Sequence, residues 1–228
     1  MTWLQKISAL NIRGLTSIIT REIVEWVKYG IAHKLERVTL SHNFNLKQKA
    51  DDTQTTIFRE MKLPPNIDMK ILVTLELGSE FIHAKGARGE SIGNDYIGID
   101  IGVNPDRRDI QDLIPKIRNS VAHELEHVNL NRQKMQQDSL GRPIGKLTRS
   151  EDEVERLIAY ATSPVEVDAM VRGMREIARS SKTDFYQAAL DHLTSACRRR
   201  MFTEQETQRV LKAVLPIWTQ TAQIRGYR

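Results

Sequence analysis

Apolar and polar positions change their period twice along this chain, and each change marks a different kind of element. Between Ser8 and Val38, Ile18, Ile19, Ile23, Trp26, Val27, Ile31 and Leu35 recur at helical spacing, which predicts one or two amphipathic helices. A polar stretch beginning at Ser41, "SHNFNLKQKADDTQTT", follows, and "LPPN" at Leu63 to Asn66 breaks the chain. From Met69 the pattern favours strands. "KILVTLEL", from Lys70 to Leu77, is rich in branched apolar residues and is closed by Gly78, and "FIHAKG" from Phe81 reads as an antiparallel return. In "NDYIGIDIGVNP", Ile97, Ile99, Ile101 and Val103 alternate with Tyr96, Gly98, Asp100 and Gly102, so this strand has one apolar face and one small or polar face. Glycine weakens a strand unless another backbone must come close. The segment therefore reads as an edge strand, either a plain twisted edge or one along which a ligand chain aligns with Tyr96, Gly98 and Asp100 as contacts.

Beyond Pro105 the period is helical throughout. One long helix is expected from Asp109 to about Arg132, with Pro115 in its first turns, where a missing N–H is tolerated. Ser150 with Glu153 three residues later predicts a capping box, and Ser163 followed by Pro164 predicts another helix start. Two more helices, about Asp184 to Met201 and Thr203 to Gln223, complete the chain. The fold class expected is α+β, in three parts. Residues 1–66 form an N-terminal helical segment packed on the core, 67–180 a core with a small mixed sheet and its edge strand beside the long helix, and 181–228 the C-terminal helices.

The long helix carries "HELEH", His123 to His127. Histidines at i and i+4 lie on one side of a helix, so both imidazoles can reach one tetrahedral metal ion, while Glu124 is offset by about 100° toward a water on that ion. On a helical wheel, Ile110, Ile114, Ile117, Val121, Leu125 and Val128 stack within about 80° of one another, and the histidines fall roughly 160 to 240° from the centre of that stripe. The same letters also suit a solvated helix face. A catalytic zinc site needs a third protein ligand and an open position. The acidic candidates downstream are Glu151, Asp152, Glu153, Glu155, Glu166 and Asp168.

Composition narrows the classes. The 228 residues are 40% hydrophobic and 28% charged, ordinary values for a folded chain of one domain or one domain with an appendage. A net charge of +5 is spread along the sequence, with "RRR" at Arg198 to Arg200 as its one tight run; it helps approach to anionic partners and does not define a nucleic-acid binder. Cys197 is the sole cysteine, which excludes an internal disulfide and a multi-thiolate zinc site and fits a reducing compartment. Lys6, Arg13, Arg21, Glu22 and Glu25 interrupt every apolar run near the N-terminus, so neither a membrane span nor a signal peptide is expected. A cytoplasmic protein is expected, with virion association as the alternative.

"HELEH" followed by "YATSPVEVDA" resembles the zincin metallopeptidases in their gluzincin arrangement, and the second segment is similar to the Tyr-x-x-x-Pro-x-Glu-x-x-Ala pattern of small zincin-like proteins of phages and bacteria. The resemblance spans about Asp95 to Met174. It implies His123 and His127 as zinc ligands, Glu166 as the third, Glu124 as general base, Zn2+ as cofactor and a protein or peptide as substrate. Tyr160 could then donate to a tetrahedral oxyanion, and Glu126 or Asn119 could orient a ligand imidazole. The thermolysin-like members usually carry Asn-Glu-x-x-x-Asp around the ligand, whereas this chain has "PVEVDA". "SPVE" is also a capping box, which gives Glu166 an alternative role as a helix cap. The rival functions are a zinc amidohydrolase acting on a non-peptide substrate, a basic helical binding protein in which "HELEH" is structural or incidental, and a zincin fold whose peptidase activity is latent until another protein or a cleavage exposes the cleft.

Overall fold

The computed structural model describes residues 12–35, 37–42, 56–61, 63, 69–77, 85–91, 96–104, 106, 110–137 and 152–227. The chain divides into two compact units, Met1–Arg132 and Gln133–Arg228. The architecture is mixed α and β, as the α+β expectation required.

In the first unit, α1 (Ile12–His33) is followed by β1 (Arg37–His42), β2 (Thr56–Glu60), β3 (Lys70–Leu77), β4 (Lys85–Ser91) and β5 (Tyr96–Val103). The five strands make one mixed sheet in the order β2-β1-β3-β5-β4. β1 runs parallel to β2 and antiparallel to β3, β3 runs parallel to β5, and β4 runs antiparallel to β5. Register explains why one face of the sheet is apolar. Ile71 stands opposite Ile97, Val73 opposite Ile99, Leu75 opposite Ile101 and Leu77 opposite Val103, so the period-2 patterns of two strands coincide. Leu40 of β1 stands opposite Val73 and extends the same row. These side chains share one core with Ile19, Ile23 and Val27 of α1 and with Leu113, Ile117, Val121, Leu125 and Val128 of the next helix, α2 (Leu113–Gln137).

Three expectations are corrected here. Residues 1–66 hold two strands as well as a helix, because α1 stops before Val38. Lys34 takes a left-handed conformation (φ 50°), and the Leu35 N–H donates to the Gly30 carbonyl at 3.1 Å, a Schellman-type stop that turns the chain into β1. β5 has the expected bounds but lies inside the sheet: β3 and β4 pair with its two sides, so Tyr96, Gly98 and Asp100 have no open backbone edge to offer a ligand strand. The edge strands are β2 and, next to β5, β4, "KGARGES", whose polar and glycine-rich sequence carries no strand signal and whose ladder is irregular between Lys85 and Arg88. The antiparallel return from Phe81 is thus made later in the chain and onto β5 rather than β3; Phe81 itself lies outside the described residues. Finally, α2 begins at Leu113, whose N–H donates to the Ile110 carbonyl at 3.0 Å. Pro115 then falls in the first turn, among the amides that have no intrahelical acceptor.

The second unit is helical: α3 (Glu153–Ala161), α4 (Pro164–Ser181), α5 (Phe185–Arg199) and α6 (Glu204–Ile224). Asp152 caps α3 by accepting from the Val154 N–H, in place of the expected Ser150, which lies outside the described residues. Ser163, Asp184 and Thr203 cap the other three, the last in a full capping box with Glu206. Val154, Leu157, Val171, Met174, Phe185, Leu193, Val210, Val214 and Trp218 belong to a second core. At its centre the Trp218 indole N–H donates to the Ala161 carbonyl at 2.8 Å, tying α6 to the end of α3. No described helix is long and apolar enough to cross a membrane.

Candidate metal centre

Helix α2 is buried on more than its apolar stripe. Ile117, Val121, Leu125 and Val128 enter the core as the wheel requires, but Glu124 (4% exposed), Glu126 (3%) and His127 (8%) are buried as well. A solvated charged face is therefore not what "HELEH" makes. Between Val121 and Val128 only His123 exceeds the buried range, and its side chain is 12% exposed.

The two imidazoles converge. His123 Nε2 and His127 Nε2 are 3.0 Å apart, and the rings meet nearly at right angles (85°) with centroids 4.6 Å apart. At that distance one ring donates and the other accepts, so in a hydrogen-bonded pair of neutral rings the two Nε2 atoms belong to different tautomers. Two nitrogens bound at about 2.0–2.1 Å to a tetrahedral zinc ion lie about 3.3 Å from each other. The observed pair is within a few tenths of an ångström of that spacing, so these nitrogens fit a zinc ion with a small ring adjustment. Glu124 Oε1 lies 4.0 Å from His123 Nε2, too long for a direct hydrogen bond and close enough to share the surroundings of the same nitrogens. The donor set of two imidazoles beside a buried carboxylate is one that zinc accepts.

The turn preceding the pair adds Asn119, about 40° around the helix from His123. Its Oδ1 atom is buried and has no hydrogen-bond partner among the described residues, as is true of Arg118 Nε beside it. Buried amide oxygens are nearly always satisfied, and this one makes no hydrogen bond to either imidazole. Glu126 is buried about 60° from His123 on the wheel.

In the second unit, Glu166 occupies the third position of α4, partly buried, and Tyr160 lies partly buried in the last turn of α3. The local hydrogen bonds separate the two roles open to Glu166. Ser163 Oγ accepts from the Glu166 N–H at 3.4 Å, which is the cap proper. The reciprocal half of a capping box would need the Ser163 N–H, and that donor goes to the Tyr160 carbonyl at 3.2 Å. The cap of α4 shown by these bonds is therefore the Ser163 hydroxyl. Ser163→Ala is accordingly expected to lower stability by about 0.5–2 kcal/mol in chemical denaturation while leaving metal content unchanged; loss of metal in this variant would return Glu166 to the role of a cap. Glu153, Glu155 and Asp152 cluster elsewhere on α3, where Arg209 forms ion pairs with Asp152 and Glu155.

Comparison with family models, curated proteins and solved structures finds no match to this chain.

Proposed function

We propose that this chain is a zinc-dependent peptidase, with His123 and His127 as ligands, Glu166 as the third ligand and Glu124 as general base. The observation that carries the reading is the convergence of the two Nε2 atoms at 3.0 Å beside the buried Glu124. For Glu166 the support is the resemblance of its segment and its chemistry, since a carboxylate oxygen beside imidazole nitrogens is a donor that zinc accepts. A zinc ion bound there supplies a Lewis acid that makes water nucleophilic near neutral pH and polarises a carbonyl group. Glu124 takes one proton from the water that adds to the peptide carbonyl carbon, and passes it to the amine that leaves as the C–N bond breaks. Burial of Glu124 keeps bulk water from competing for that proton and fixes its carboxylate relative to the imidazoles. Tyr160 remains the candidate donor to the oxyanion, on the resemblance of its segment. Since β5 is paired on both sides, backbone alignment of a substrate would need an outer strand, β4 or β2, each of which pairs with one strand among the described residues.

Metal analysis of wild-type, His123→Ala and Glu166→Ala protein tests the ligand set. About one zinc per chain is expected in the wild type, with loss in both variants, since removing one of three protein ligands from a catalytic site leaves too few to hold the ion against a chelator. Zinc retained in His123→Ala would remove the site altogether, and zinc retained in Glu166→Ala would shift the third ligand to another carboxylate.

A further inference from the structure

Three guanidinium groups gather on one tyrosine in the second unit, and the proposed zinc site uses none of them. Arg172 Nη1 donates to the Tyr227 hydroxyl oxygen at 3.2 Å, and the Arg175 guanidinium carbon lies 4.0 Å above the Tyr227 ring centroid. Arg225 forms a 2.6 Å ion pair with Asp168 and also hydrogen-bonds the Tyr227 side chain. Burial pushes the Tyr227 phenol up, but the hydrogen bonds from Arg172 and Arg225 and their charges outweigh it and hold the group below the ordinary tyrosine value.

Charge is not balanced within this cluster. Asp168 offsets one guanidinium, and among the described residues neither Arg172 nor Arg175 has a carboxylate partner, so two positive charges remain in excess. Gathering like charges around a half-buried phenol is unfavourable unless something offsets it. A donor is left over as well: Arg172 Nε is buried and has no hydrogen-bond partner among the described residues. The backbone holds the group in place. Arg172 and Arg175 are three residues apart on α4 and so share one face, and the Tyr227 N–H donates to the Ala222 carbonyl at 2.8 Å, which folds the chain end back after α6.

We infer that Arg172, Arg175 and Arg225 around Tyr227 form a binding site for a phosphate-type dianion. The excess of two charges matches a phosphomonoester or inorganic phosphate, and planar guanidinium forks suit its tetrahedral oxygens better than ammonium groups do. The Tyr227 hydroxyl supplies a hydrogen-bond partner whose hydrogen can turn toward a ligand oxygen. The aromatic ring beneath Arg175 fixes that guanidinium in one plane before the ligand arrives. This site stands apart from the peptidase reading and does not depend on it.

Isothermal titration of the full chain with inorganic phosphate, against sodium chloride at matched ionic strength, tests the inference. Phosphate binding is expected, with affinity reduced about tenfold or more in Arg175→Gln and in Arg172→Gln, the effect of losing one charge-assisted contact. Arg175→Lys, which keeps the charge and loses the fork, is expected to weaken binding to a lesser degree. Arg209→Gln removes a positive charge elsewhere and is expected to bind as the wild type does, as is His123→Ala, which separates this site from phosphate taken up by zinc. Thermal midpoints identify any variant that fails to fold; Arg175→Gln, which loses only a stacking contact, then carries the test. The inference is overturned by absence of phosphate binding at about 10 mM, by equal affinity in folded Arg175→Gln, or by an equal loss in Arg209→Gln. It is also overturned if a DNA duplex binds through these arginines while free phosphate does not, because that pattern belongs to a polyanion surface.

Discussion

Glu124→Gln is expected to abolish most peptide hydrolysis while zinc content and thermal midpoint stay near the wild-type values. Gln is isosteric with Glu and cannot accept the water proton, so the loss equals the general-base contribution, about 10²- to 10⁴-fold in kcat. The structure sharpens this expectation in two ways. Glu124 is 4% exposed, so water cannot substitute readily for its carboxylate, and its Oε1 lies 4.0 Å from His123 Nε2, so its replacement breaks no direct hydrogen bond to that imidazole. Activity that survives in Glu124→Gln with zinc still bound would assign the base elsewhere. Loss of zinc in the same variant would turn Glu124 from a base into a ligand.

Trp218→Ala is expected to destabilise the second unit by about 3–5 kcal/mol, measured by denaturant unfolding of the full chain. Trp218 is 1% exposed, and its removal empties the centre of the helical core and strands the Ala161 carbonyl that accepts its indole N–H. Trp218→Phe keeps most of the packing and loses the hydrogen bond, so it should recover more than half of that difference. A Trp218→Ala protein as stable as the wild type would mean that α3 and α6 are held together by other contacts. Because the core of the first unit shares none of these side chains, the far-ultraviolet signal is expected to fall in two stages in this variant.

Strong periodic signals were legible before any coordinates. β3 and β5 have the bounds their alternation implies, α4 begins at the cap that the letters announce, Ser163, and α5 and α6 begin next to the expected starts at Asp184 and Thr203. What escaped was set by partners outside the segment. β1 and β2 are short, and nothing in "RVTLSH" distinguishes a strand from the tail of α1; pairing with β3 and the left-handed Lys34 decide the matter. The position of β5 is not legible locally, because glycines at 98 and 102 suit an exposed edge and an inner strand equally, and here both are paired on two sides. At the candidate site, spacing placed the two histidines on one side of α2, but their burial and the 3.0 Å approach of their nitrogens come from packing that no local pattern encodes. The arginine cluster had half a signal, Arg172 and Arg175 at helical spacing, and its other half, Arg225 and Tyr227, arrives from more than 50 residues away.

The irregular ladder between Lys85 and Arg88 has a bearing on how this chain can change its length. Side chains on β5 alternate strictly, so one inserted residue there would exchange the buried isoleucines for Gly98, Asp100 and Gly102 on the core face and misalign β5 with both neighbours. In β4 a shift of register is already accommodated, and among the described residues only one side of the strand is paired. Insertions and deletions are therefore tolerable in β4 and ruinous one strand further in, which leaves this edge strand as a part of the sheet that can be remodelled while the row of isoleucines on β5 keeps its register.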